Sequence, residues 1–130
     1  MGIKYKPKDK DKSPVEHWSA ARYRAFIVSA LRNGFRRYPN KHEAIKAAYV
    51  ETKTNPASGR KAKFYRCEKC RKSFVRTKVQ VDHITPIVDP AYGFINWDFY
   101  VSRMFCSVKN LQVLCIECHK KKTEKEKKQR

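Results

Sequence analysis

Acidic residues are scarce in this chain. Twelve aspartates and glutamates stand against 31 lysines and arginines over 130 residues, a formal net charge of +19 at pH 7. A surplus so one-signed argues against an ordinary metabolic enzyme and for a polyanionic partner, of which nucleic acid is the commonest. Long apolar runs are missing too. No stretch approaches the roughly 18 residues that cross a bilayer, and the N-terminus lacks the apolar centre of a signal peptide. Met1-Gly2 opens like a myristoylation signal, but Lys6 stands where that signal needs Ser or Thr. These absences predict a soluble, cytoplasmic protein with no membrane partner. In a reducing compartment its five cysteines read as metal ligands or thiols rather than disulfides. There is no internal repeat, and the length fits one modest core that a metal staple would help.

Along the chain, residues 1–12 carry lysines at alternate positions and almost nothing apolar, the composition of a disordered basic arm. Ser13-Pro14-Val15-Glu16 has the form of a capping box with proline at the first helical position. Trp18, Ala21, Ala25 and Val28 follow at helical spacing, so a helix is expected over about 14–33, decorated by Arg22, Arg24, Arg32, Arg36 and Arg37. Asn40 with Glu43 opens a shorter helix through about Val50, and "TNPASGRKAK" reads as a loop or linker. Residues 13–60 are thus a helical N-terminal extension. It either packs through Trp18 and Phe26 with its arginines solvated, or uses Arg22, Arg32 and Arg36 to widen a nucleic-acid footprint. His17 and His42 have no partners there and read as surface residues.

From Phe64 the texture changes. Two short β-prone runs flank Cys67-Glu68-Lys69-Cys70, and "VQVDHI" then alternates as a strand until Pro86. Trp97, Tyr100, Val101, Met104 and Phe105 mark a short helix with an aromatic core stripe, "LQVLC" a second strand, and 116–128 a charged helix. Cys67-x-x-Cys70 and Cys115-x-x-Cys118 are two knuckles, the arrangement of a closed tetrahedral structural zinc site. No βαβ pattern surrounds either pair, which disfavours a thioredoxin-like motif. Cys106 is left over as a small buried hydrophobe. Asp82 and His83 are the unexpected pair, because a strand serving only its core has no use for an adjacent carboxylate and imidazole.

"VDHI", "NLQVLC" and "CHKKKT", in order and with both knuckles in place, resemble the HNH nuclease family. His83, Asn110 and His119 stand at its H, N and H, with eight residues between the last two. The match covers about 64–124 and is similar to the zinc-stabilised branch of small phage-encoded HNH and homing endonucleases. The resemblance implies an α+β fold: a ββα-metal (His-Me finger) core within 61–130, its strands near 79–84 and 111–115, and a structural four-cysteine zinc site. It implies metal-dependent hydrolysis of DNA phosphodiester bonds, in a homing-type or packaging-associated role, with DNA and a phage packaging component as partners and the chain a monomer or dimer. His83 is then the general base, and Asp82 and His119 hold a catalytic Mg²⁺ or Mn²⁺. Asn110 orients the loop and the His83 ring or serves as a ligand. Lys120, Lys121 and Lys122 would touch phosphates. A regular strand sends Asp82 and His83 to opposite faces, so their joint use is expected to need a departure from strand geometry. Taken singly, His83 also fits a satisfied strand-end histidine and His119 a zinc ligand. A non-catalytic zinc module binding DNA or RNA is the alternative.

Overall fold

The computed structural model describes residues 13–128, and the basic arm expected at 1–12 lies outside them. Among the described residues the fold is α+β, with four α-helices and two small antiparallel sheets. None of these helices is long and apolar enough to cross a membrane.

The capping box at Ser13 does not open a helix. Its hydroxyl accepts instead from the Val15 N–H at 3.0 Å, a local turn that competes with helix entry. Helix α1 (Ala20–Phe35) starts later, where the Ser19 side chain accepts from the Arg22 N–H at 3.1 Å. Trp18 therefore precedes the helix. It packs on Phe26 with ring centroids 5.5 Å apart, and Phe26 is 58 % exposed. The anchorage expected of that pair falls to Phe35 at the other end of α1, which packs against Phe105, Tyr38 and His83. Helix α2 (Pro39–Ala48) begins with proline at its first position rather than at an Asn40 cap. Asn40 is drawn away, its amide donating to the Cys106 carbonyl beside the Tyr38 hydroxyl.

The stretch expected as a linker is a hairpin. Strand β1 (Tyr49–Thr54) pairs antiparallel with β2 (Lys61–Arg66), and Asn55 and Gly59 shape the turn. Gly59 adopts φ 72°, which glycine tolerates at no steric cost. Every residue of β1 is exposed, so its sequence carries no alternation by which to find it. Strand β3 (Ser73–Val75) completes this sheet after the Cys67–Cys70 turn. The second sheet pairs β4 (Val79–His83) with β5 (Leu111–Cys115), setting Val81 opposite Val113 and Asp82 opposite Gln112. Helix α3 (Trp97–Met104), capped by Asn96, lies in the connection between them, and α4 (Ile116–Lys128) follows β5 directly.

Helix α2 joins the two sheets. Its Ile45 is buried in one cluster with Tyr65 of β2, Val79 of β4 and Val113 of β5. An Ile45→Ala substitution should lower the unfolding free energy by about 2–5 kcal/mol, measured by denaturant titration at unchanged m-value. A loss below about 1 kcal/mol would mean that α2 is peripheral.

Candidate metal centre and active-site cleft

Four cysteines converge from three places: the end of β2, the turn after it, and the junction of β5 with α4. The sulfurs of Cys67, Cys70, Cys115 and Cys118 all lie within 4.8 Å of one another. Tetrahedral zinc with Zn–S bonds of about 2.3 Å sets sulfurs about 3.8 Å apart, so four such thiolates fit one ion. A backbone bond from the Glu68 N–H to the Val113 carbonyl, 2.8 Å, ties the knuckle to β5. The thiols share protons unequally. Burial pushes Cys67 up, but backbone N–H groups of Cys115, Cys70 and Lys69 outweigh it and bring its pKa down to about 6. Cys118 is pushed up to about 12 by its hydrogen bond with Cys115, by burial, and by Cys67 and Cys70 beside it. Four crowded sulfurs cannot all ionise unaided, and a divalent cation is what permits it. The cluster can thus hold a structural metal ion such as zinc. Cys106 stands apart and is half-buried rather than buried.

A cleft of about 280 Å³ runs along β4, bordered by Asp82, His83, Arg32, Tyr100, His119, Lys122 and Glu126. Asp82 and His83 both stay in the ladder, opposite Gln112 and Leu111, and both border the cleft.

Asp82 is 9 % exposed. Its Oδ2 accepts from the Gln112 amide at 2.9 Å and lies 3.2 Å from Lys122 Nζ, while Oδ1 is 3.7 Å from His119 Nε2. Lys122 also donates to the His83 carbonyl at 3.1 Å and pairs with Glu126. Burial opposes its charge, yet Glu126 and Asp82 hold its pKa above the usual lysine value. Lys122 is thus tied into the cleft, whereas Lys120 and Lys121 are exposed as surface contacts would be. Of the arginines, Arg22 lies over the Trp18 ring at 4.5 Å, and Arg36 bonds Asn33.

The His83 ring is fixed from outside the β4–β5 pair. Its Nε2 lies 2.9 Å from the Met104 carbonyl, and Phe35 packs on it with centroids 5.0 Å apart. A carbonyl only accepts, so Nε2 carries the proton and Nδ1 remains to take one up. Asn110 does not orient this ring. Its Oδ1 accepts from the Thr85 N–H at 3.0 Å, bracing the loop after β4, and it does not border the cleft.

Sequence reasoning missed Gln112, Glu126, Phe35 and Tyr100 as site residues. Two had signals: Gln112 faces Asp82 once the strands are paired in register, and Glu126 follows His119 and Lys122 at helical spacing. Phe35 and Tyr100 come from elements whose docking no local pattern gives. Compared with family models, curated proteins and solved structures, the chain matches none.

Purified protein should contain one zinc per chain, and Cys67→Ser or Cys115→Ser should lose it and unfold the second sheet with α4. Cys67 titrates below an ordinary thiol, so the stabilisation its thiolate gives is present in alkaline solution and lost as pH falls through about 6. Zinc affinity should fall as the solution is acidified and protons compete for the thiolates, followed with a chromogenic chelator. Zinc-free wild-type protein, or mutants melting as wild type does, would refute the centre.

Proposed function

We propose that the chain is a metal-dependent endonuclease of the HNH type, hydrolysing phosphodiester bonds in DNA, with β4, β5 and α4 as its ββα core. The observation that carries this reading is the meeting of Asp82, His83 and His119 at one cleft. Phosphodiester hydrolysis needs a base to deprotonate water and a cation to offset the charge building on the phosphate. His83 is the base: the Met104 carbonyl keeps the proton on Nε2, leaving Nδ1 to accept one from water. Asp82 and His119 are the ligands for a hard divalent ion. Their facing atoms are 3.7 Å apart, within the roughly 4.2 Å that one ion with bonds of about 2.1 Å can span. Such an ion, Mg²⁺ or Mn²⁺, supplies Lewis-acid polarisation of the phosphate when bound. Gln112 holds the Asp82 carboxylate in place, and the exposed lysines of α4 contribute salt-dependent affinity for the backbone.

A nicking assay on supercoiled plasmid with Mg²⁺, Mn²⁺ or EDTA tests this. Wild-type protein should nick or linearise the plasmid with a divalent ion and not with EDTA. His83→Ala should slow cleavage by about 10²–10⁴ while keeping zinc content, fold and DNA affinity. Equal rates in the two proteins would end the assignment of His83. A wild-type protein that binds DNA but never cleaves it would favour the zinc-containing binding module.

A further inference from the structure

The β1–β2 hairpin is anchored at its base, where Phe64 and Tyr65 are buried and a β-bulge between Tyr49 and Glu51 shifts the register. Beyond Phe64 the ribbon leaves the core. Thr52, Lys53, Thr54, Lys61 and Lys63 are exposed on its two faces, and Ala62 is half-buried. A two-stranded ribbon without a covered face is marginal by itself, yet the tip of this one is well fastened. The Asn55 N–H donates to the Arg60 carbonyl and the Gly59 N–H to the Asn55 carbonyl, each at 2.8 Å. The Arg60 N–H donates to the Ser58 hydroxyl at 3.2 Å. From Thr52 to Lys63 the chain carries Lys53, Arg60, Lys61 and Lys63 and no acidic residue. Lys53 is engaged on one face, 3.4 Å from Glu51 and over the Phe64 ring at 4.5 Å. The register puts Thr52 opposite Lys63 and Thr54 opposite Lys61 on the other face. There the Thr52 hydroxyl bonds the Tyr49 hydroxyl at 2.8 Å, and Lys63 lies 6.0 Å from the Tyr49 ring centroid. The major groove of DNA, about 12 Å wide and 8.5 Å deep, admits a two-stranded ribbon. From Phe64 back to Arg60 the strand extends about 13 Å at about 3.3 Å per residue, enough to seat the tip on the groove floor.

We propose that the outer part of this hairpin is a major-groove ribbon for duplex DNA. Thr54 faces base edges, while Arg60, Lys61 and Lys63 grip the flanking phosphates. The proposal rests on the nuclease reading for its choice of DNA as the polyanion, and it adds base readout to a core that grips the backbone. Phosphate contacts position a protein without reading bases, whereas a ribbon in the groove reaches the edges that differ from pair to pair. The bulge at the base bends and twists the ribbon. The fastened tip keeps the ordering cost of insertion small. Duplex RNA is disfavoured by shape, because its A-form major groove is deep and narrow.

The test is binding of the full-length protein to short fluorescent duplexes in EDTA, which needs no cleavage. Wild-type affinity should fall by about tenfold when the cytosines carry glucosylated 5-hydroxymethyl groups, uncharged bulk that fills the major groove. It should hold in netropsin, which occupies the minor groove. A triple variant combining Arg60→Gln, Lys61→Gln and Lys63→Gln alters exposed side chains and should keep the wild-type zinc content and melting temperature. Its salt slope should be shallower by roughly 0.9 for each of the three phosphate contacts, and its binding should no longer respond to glucosylation. Thr54→Val should keep the wild-type slope and flatten the ranking of duplexes that differ in base sequence. On duplex RNA the wild-type protein and the triple variant should differ far less than on DNA. A triple variant with wild-type affinity and slope overturns the ribbon, as does a wild-type protein indifferent to glucosylation. So does a ranking untouched by Thr54→Val, or an RNA duplex that separates the two proteins as DNA does. Plasmid nicking is scored separately. Protein that nicks but fails the binding tests keeps the nuclease reading and loses the ribbon. Protein that passes them but never nicks keeps the ribbon, on a non-catalytic DNA-binding module.

Discussion

The cysteine cluster is where separate parts of the chain are fastened together. It joins the turn between β2 and β3 to the point where β5 becomes α4, so one sheet is clamped to the other. Helix α4 needs such a clamp, because none of its residues is buried and most of its side chains are charged. Apolar packing cannot fix the rotation of a helix like that. Cys118 can, since holding its sulfur at the cluster sets the azimuth of every later residue. Its neighbour His119 then turns about 100° away, toward Asp82, and Lys122 and Glu126 follow on the same face. A structural ion held there would act at a distance on the cleft, by deciding which side of α4 the carboxylate meets.

Asp82 is the second constraint. A carboxylate this enclosed is costly unless its oxygens are hydrogen-bonded and its charge is met. Gln112 answers the first need from the facing strand, and Lys122 answers the second from α4. The network is closed: Lys122 also caps the His83 carbonyl and holds Glu126, so the strand end and the helix are linked through one ammonium. Removing any one member would strand another, which is why these positions should respond to substitution together rather than additively.

Much of this was legible in the chain because the signals were local. The strand at 79–83 showed as alternation, the α3 stripe as helical spacing, and the knuckles as paired cysteines. Legibility failed where local signals competed or were absent. Ser13 satisfied the form of a capping box, yet its hydroxyl bonds within its own turn, and Ser19 became the cap. Strand β1 was invisible because an exposed edge strand has no face to bury and no pattern to display. The resting place of the His83 ring, between the Met104 carbonyl and Phe35, depends on contacts 21 and 48 residues away in sequence, which no window along the chain contains.

The charge surplus and the cleft's acids at first conflict, because a site for a polyanion should not present carboxylates to it. They act over different distances. The excess of lysine and arginine sets the field beyond the surface, felt to about 10 Å at moderate salt, and on the proposed reading that field would draw a polyanion in. Within the cleft the contact distances are those of single hydrogen bonds, and there Asp82 and Glu126 are already met by Lys122. A phosphate approaching the cleft would therefore meet the far-reaching positive potential without the repulsion that bare carboxylates would add. The exposed lysines of α4, at 120, 121, 125, 127 and 128, continue the positive surface from the cleft's edge outward. On the nuclease reading, attraction and chemistry would fall to different residues of the same helix: one face carries His119, Lys122 and Glu126 toward the cleft, and the remainder carries the exposed lysines.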